Sequence, residues 1–359
     1  MKVYTSENQL NSIIFPYFSL EATEGGDWDG YFVKEQVPMG LDVQSDEIAG
    51  KCGVDFVARR DGELLGYNTY YMALFTALYR AGIYLGDKKV LVLGGGNRAN
   101  AAATLANDMG AGEVLVLPYE GKAWDLSRHH DAQVIIHTTS RGADAEMPCE
   151  ELFHFPYLVG VVECEPLPLR SRLLEAAERE DKQTVQGLYI EVARAAIAHS
   201  LLKGENASPS EIGKVNKSLQ EKLANIVLIG MDGCGAEAVA KLLSAQMERE
   251  LVRVPNLGES VKRAGFLNGK ILLISEGVAA HKEYAYYLSA NGRVYFFVRP
   301  LGQLEGNSLS GDALDARYRE LLPGFRAFAD QTHSYYGDPE VPLKEILSDF
   351  SALPYKKSE

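Results

Sequence analysis

The sequence is short of cysteine, of basic residues and of long apolar runs, and each shortage excludes something. Its four cysteines, Cys52, Cys149, Cys164 and Cys234, stand singly with no CxxC spacing and no histidine at ligand spacing, so neither a metal site nor a disulfide framework is encoded. They read as reduced, buried thiols. Only 36 Lys and Arg stand against 49 Asp and Glu, a formal charge of −13. That balance argues against nucleic acid or an anionic membrane as the main partner, because both reward a basic surface. No stretch approaches the ~20 apolar residues of a membrane span, and the opening MKVYTSENQLNSIIFPYF lacks the uninterrupted apolar core of a signal peptide. A cytoplasmic location is the expectation.

What is present suffices for folding throughout: 46% of the 359 residues are hydrophobic, and the length fits two or three domains rather than one core. The strongest pattern is DKKVLVLGGGNRANAAATLANDMGAGEVLVL, where an apolar strand meets glycines, a helix follows to Met109, and a second strand covers Val114 to Leu117. This is a βαβ unit. Further strands are predicted at AQVII and YLVGVVE, and helices over RSRLLEAAERED and GLYIEVARAAIAHSLLKG. The segment WDLSRHHDAQ, with His129 and His130, reads as a charged, solvated helix. Ser208 with Glu211 three residues later forms a capping-box signature with Pro209 at the favoured first position, so a linker helix starts there. A second α/β unit opens at Asn225, with strands NIVLIG, KILLISEG and RVYFFVRP and helices around DARYRELL and LKEILSDF.

The first unit carries a candidate nucleotide loop. Gly94, Gly96 and Ala99 give G-x-G-x-x-A after a strand and at the start of a helix, the setting a dinucleotide fingerprint requires. Asn97 and Arg98 share that turn, where the helix N-terminus offers donors to an anion and Arg98 adds charge. Glu120, just past the second strand, suits the ribose hydroxyls of NAD. The plainer alternative is that the glycines only let helix and strand pack closely. His137 in VIIHTTSRG ends a strand, and it is either a catalytic acid/base or a hydrogen-bonded core histidine.

Around this loop, RDGELLGYNTYYMALFTALYRAGIYLGDKKVLVLGGG, PLRSRLLEAAERED and TVQGLYIEVARAAIAHSLLKGE resemble shikimate dehydrogenases over residues 40–205. The resemblance implies a substrate domain before a Rossmann-like domain, an NADP cofactor, and a catalytic lysine and aspartate. At the matching positions stand Ile48, with Lys51 nearby, and Tyr70. Asp55 replaces the family's substrate asparagine, and Arg194 its substrate glutamine. Pro118, Tyr119 and Glu120 stand where NADP-dependent members carry an arginine, which leaves NAD as the candidate cofactor. Tyr67, Tyr70, Tyr71 and Tyr189 are expected to fill the former substrate cleft.

In the second unit, NIVLIGMDGCGAEAVAKLL has the layout of a phosphate-binding loop, which needs a lysine for the phosphates and a hydroxyl for magnesium. Gly230, Gly233 and Gly235 keep the turn, but Ala236 and Glu237 replace the lysine and the hydroxyl. With GKILLISEGVAAHKEYAYYLSANGRVYFFVRPLGQLEG and RELLPGFRAFAD, the segment resembles shikimate kinases. The resemblance implies ATP and shikimate sites that the substitutions remove, and acids at the helix start are expected to take the anion's place. Arg317 and Arg319 are expected on an exposed helix face.

The expected fold is α/β: a reduced substrate-domain remnant (1–66), a Rossmann-like module (67–204), a helical linker (205–224) and a P-loop-kinase-like three-layer module (225–359). The expected function is that of a degenerate fusion of two activities of aromatic amino acid biosynthesis, acting as a pseudoenzyme by binding a small molecule or another protein, a second copy of the chain included. The alternative is an NAD-linked oxidoreductase with an altered substrate.

Overall fold

The computed structural model describes residues 1–5, 8–33, 37, 41–139, 147–149, 151–204, 208–256 and 258–352. Residues 205–207 of the expected linker lie outside them. The chain divides into two compact units, Met1–Asn216 and Lys217–Glu359. The first contains β1 (Lys2–Tyr4), α1 (Asn8–Ile14), β2 (Glu21–Thr23), β3 (Gly30–Phe32), β4 (Gln44–Ser45), α2 (Glu47–Cys52), β5 (Phe56–Arg60), β6 (Glu63–Tyr67) and α3 (Thr69–Ala81). It continues with β7 (Lys89–Leu93), α4 (Gly96–Asp108), β8 (Glu113–Leu117), β9 (Val134–His137), β10 (Gly160–Glu163), α5 (Arg172–Arg179), β11 (Gln183–Val185) and α6 (Gly187–Lys203). Helix α7 (Pro209–Leu223) runs across the boundary.

The N-terminal residues form a six-stranded mixed sheet, ordered β2-β1-β3-β5-β6-β4. Asp61 and Gly62, both at positive φ, make the tight turn joining β5 to β6. The second sheet is wholly parallel, ordered β11-β10-β9-β7-β8. Its central strands β7, β9 and β10 are buried along almost their whole length, which is why they read as unbroken apolar runs. Strand order reverses between β7 and β9, so the carboxyl ends of these strands mark the edge where open α/β sheets bind ligands. Helix α3 packs on both α4 and α6, and α6 reaches β5. Asn68 caps α3 by accepting from the Tyr71 N–H at 2.8 Å.

The second unit holds β12 (Asn225–Gly230), α8 (Ala236–Met247), β13 (Leu251–Val254), α9 (Gly258–Gly265), β14 (Ile271–Ile274), α10 (Ala285–Ala290), β15 (Gly292–Val298), α11 (Gly311–Phe328), β16 (Gln331–Ser334) and α12 (Glu340–Ser351). Its five strands are all parallel, ordered β13-β14-β12-β15-β16. Val227, Ile229, Leu272, Ile274, Val294 and Phe296 share one core with residues of α9, α10 and α11. Residues between them point to the other face, where Tyr295 donates to Asp349 of α12 at 2.8 Å and α12 packs on α8. Among the described residues no helix is long and apolar enough to cross a membrane.

Candidate functional sites

The glycine loop lies at the switch between β7 and β9. Gly94 adopts φ +135°, and a Cβ there would stand 2.3 Å from Oγ1 of Thr138 and 2.9 Å from Cγ2 of Thr139. Only glycine allows this approach. Helix α4 opens behind Gly95 with no side-chain cap on its first turn, and a Cβ at Gly95 or Gly96 would meet nothing within 4 Å. An uncapped helix start with open space before it suits a pyrophosphate. Ala99 is fully buried on α4, and Glu120 is exposed past the end of β8.

Two residues assigned to this loop turn elsewhere. The side-chain amide of Asn97 lies against Gly53, whose Cβ would come within 3.3 Å of its oxygen. Arg98, expected to add charge for an anion, is committed to Glu165 at 3.4 Å and Glu191 at 3.8 Å, with its guanidinium 5.0 Å from the centre of the Tyr70 ring. The half-buried Glu165 and the buried Glu191 of the same unit hold this cation away from the loop.

Those contacts belong to a buried cluster where α3, α4 and α6 meet, which includes Asp55, Tyr70 and Arg194. Arg194 contacts Asp55 at 3.4 Å, Glu191 at 2.7 Å and the hydroxyl of Thr69 at 3.2 Å, and stacks 3.6 Å from the Tyr70 ring centre. Tyr70 donates its phenol to Glu191 at 2.7 Å. Asp55 accepts from the N–H of Thr69 at 2.5 Å and of Tyr70 at 2.9 Å. Burial works against the charge on Glu191, but Arg194 and Arg98 outweigh it and hold the carboxyl below the usual range. Burial, opposed by Arg194, raises Asp55, and burial keeps the Tyr70 phenol well above its ordinary value. Of the four tyrosines expected to fill a cleft, Tyr70 and Tyr189 are buried, whereas Tyr67 and Tyr71 are partly buried and Tyr71 donates its phenol to Asp108 at 2.9 Å. Lys51 pairs with Glu47 at 3.1 Å on the exposed surface of α2 and takes no part.

His137 is buried at the end of β9, its Nδ1 3.0 Å from both oxygens of Glu163 and its Nε2 2.7 Å from Oγ1 of Thr139. Neither partner was selected from sequence, although Glu163 is a lone carboxylate ending an apolar strand. Glu191 gave a similar signal, an acid three residues before an arginine in an otherwise apolar helix. The expected helix over WDLSRHHDAQ is absent: Trp124 donates to the carbonyls of Leu117 and Pro118, pinning this segment as a loop, and His130 packs on His154 and Phe155.

In the second unit Gly233 and Gly235 take φ +83° and +97° in the turn between β12 and α8. A cavity of about 700 Å³ lies over it, lined by residues that include Lys241, Arg253, Arg299 and Tyr335. Glu237, expected to take the anion's place, lines this cavity and pairs with Lys241 at 3.0 Å and Arg253 at 2.8 Å. Glu276 accepts from the Asp232 N–H of the same turn at 2.8 Å. Burial and then Glu276 raise the Asp232 carboxyl. Arg317 is half-buried beside Glu276 at 3.4 Å, unlike the exposed Arg319. Burial pushes the Cys234 and Cys52 thiols up to about 11, as expected for unreactive cysteines. Among the described residues no group of three or more His, Cys, Asp or Glu is placed to hold a metal ion.

No protein-family model matches the chain. Over 193 residues it is 28% identical to the shikimate dehydrogenase (NADP(+)) of Caldicellulosiruptor bescii, covering 47% of this chain and 66% of that protein. Over 217 residues it is 27% identical to the shikimate dehydrogenase (NADP(+)) of Streptococcus pneumoniae, covering 53% and 75%. The chain thus spans just under two thirds of the first relative and three quarters of the second. In fold it matches Thermus thermophilus shikimate 5-dehydrogenase, solved in complex with NADP(H) and shikimate, at a TM-score of 0.52 and 21% identity over 60% of this chain and 98% of that one. A chorismate mutase/shikimate 5-dehydrogenase fusion protein from Clostridium acetobutylicum gives 0.52 and 19% identity over 62% and 96%. The N-terminal ~60% of the chain is shikimate-dehydrogenase-like in sequence and Rossmann-like in fold.

Proposed function

We propose that the N-terminal unit is a nicotinamide-linked oxidoreductase of the shikimate dehydrogenase type whose substrate is not shikimate. The observation that carries this reading is that Asp55, Tyr70 and Arg194, which stand at the family's substrate and catalytic positions, bond to one another or to Glu191 and fill their own site. A polar substrate there would have to break a paired buried cluster. The nucleotide edge is open by contrast, since α4 starts uncapped behind Gly95 and Gly96.

The residues fit NAD. The start of α4 would hold the pyrophosphate and Glu120 the ribose hydroxyls, whereas a 2′-phosphate would meet that carboxylate. When bound, the cofactor supplies hydride acceptance or donation at its nicotinamide ring. The test is calorimetric titration of the full chain and of Glu120→Arg with NAD and NADP. Wild type should prefer NAD and the variant should shift toward NADP; equal weak binding of both to both proteins would refute the cofactor assignment.

A second reading, a pseudoenzyme acting by binding alone, is favoured by the C-terminal unit. There Ala236 and Glu237 remove the phosphate lysine and the magnesium hydroxyl, and Glu276 already occupies a loop N–H. We assign this unit a shikimate-kinase-like fold without phosphoryl transfer, serving a regulatory or scaffolding role through a small molecule or a protein partner. Absence of hydride transfer in a protein that binds NAD would favour this reading over the first.

A further inference from the structure

His137 sits in a three-group chain that cofactor binding does not use. It ends β9 as Glu163 ends β10, and the parallel register sets them side by side. Their side chains are 5% and 3% exposed. Nδ1 of His137 lies 3.0 Å from each Glu163 oxygen, and Nε2 lies 2.7 Å from Oγ1 of Thr139. The Glu165 N–H donates to Oε1 of Glu163 at 3.1 Å and fixes the carboxylate. Trp124 meets the imidazole edge-on at 5.8 Å.

An ionised carboxylate only accepts hydrogen bonds, so the ring nitrogen facing both of its oxygens carries the proton. That leaves the Nε2 lone pair to accept from Thr139. Carboxylate, imidazole and hydroxyl thus follow the order of the Ser-His-Asp arrangement. Thr139 also stands against the glycine loop, at the sheet edge where a ligand binds.

We infer that Glu163, His137 and Thr139 form a proton relay for oxidation of a secondary alcohol, an inference that rests on the nicotinamide-linked reading above. The substrate O–H bond breaks and its proton passes to Oγ1 of Thr139, which gives its own proton to Nε2 of His137. The C–H bond breaks with its electron pair leaving as hydride to the nicotinamide ring of NAD, and the C=O bond forms. One hydride, carrying the two electrons, and one proton leave the alcohol, and the imidazolium that results is balanced by Glu163. Thr139 and His137 move the proton, and Glu163 is a positioning residue.

Two measurements test the relay on the full chain. In nitrogen NMR of isotope-labelled histidine, with the signals assigned by their loss in His137→Asn, wild type should carry its proton on Nδ1. Glu163→Gln, whose amide donates to Nδ1, should move the proton to Nε2. A wild-type proton on Nε2 overturns the relay, because that nitrogen then accepts nothing. The second measurement is turnover of NAD with a set of cyclic and linear secondary alcohols. Glu163→Gln and Thr139→Val should each lower kcat by about 10²–10⁴-fold at unchanged KM, and Thr139→Ser should keep wild-type kcat. Full kcat in Glu163→Gln or Thr139→Val, with NAD binding intact, overturns the relay and leaves the parent reading standing. No NAD binding, or no alcohol oxidised by wild type, overturns both.

Discussion

Arg194→Gln removes the central cation of the buried cluster and leaves a neutral side chain of similar reach. Arg194 is 9% exposed, and its partners Asp55 and Glu191 are 2% and 8% exposed. Removing one partner of such a pair costs about 3–5 kcal/mol, because the other charge stays buried. Asp55 keeps the N–H groups of Thr69 and Tyr70, and Glu191 keeps the Tyr70 phenol with Arg98 at 3.8 Å. The cost should therefore fall at the lower end, about 3 kcal/mol, which for a unit of this size lowers the midpoint by about 6–12 °C. Asp55→Asn added to Arg194→Gln removes the stranded charge. The double variant should be more stable than the sum of the singles predicts, by about 1–3 kcal/mol. Both tryptophans, Trp28 and Trp124, lie in Met1–Asn216, so fluorescence-detected unfolding follows that unit alone. A loss under ~1 kcal/mol in Arg194→Gln, or additivity within about 0.5 kcal/mol, would refute the claim that these positions compensate one another.

The remaining predictions concern the C-terminal unit. Burial opposes ionisation of Asp349, but the bond from Arg293, then that from Tyr295, outweighs it and lowers the carboxyl below its ordinary 3.8. The stability this group adds is present above that value and lost as pH falls through its lower folded value. Asp349→Asn should therefore weaken the unit at neutral pH and flatten its midpoint-against-pH curve below about 4, as scanning calorimetry would show; an unchanged acid slope would count against the pairing. Replacing Ala236 by Lys, Glu237 by Thr and Glu276 by Gly together should give a chain that binds ATP more tightly than its parent, measured by calorimetry with magnesium. Equal ATP binding by the parent chain would show that the loop never lost its ligand.

Much of the architecture was legible because buried parallel strands are apolar throughout: VLVL, VIIH and IVLI each became a central strand. The strands that escaped notice are short or lie at edges. Strand β13 (LVRV) buries only Val254 and strand β16 (QTHS) only His333, and the N-terminal strands run only two to five residues. Their pairing depends on neighbours that local pattern does not reveal. Site positions followed the same rule. Asp55, Tyr70 and Arg194 were each visible as departures, but Asp55 and Arg194 lie 139 residues apart and their bond appears only when α6 packs beside β5. Arg98 shows the reverse error, since its place in a glycine loop said nothing of the carboxylates waiting on its other side.

The central claim is that a nicotinamide edge persists beside a shikimate cleft that has filled itself. Fluorescence-detected thermal unfolding with NAD, with shikimate and with both tests it most directly. At a hundredfold excess over its dissociation constant a ligand adds about 2.7 kcal/mol, or roughly 5–11 °C for this unit. The account predicts that shift with NAD and none from shikimate, alone or on top of NAD. A shikimate-dependent shift, or reduction of dehydroshikimate by the purified chain, would contradict it.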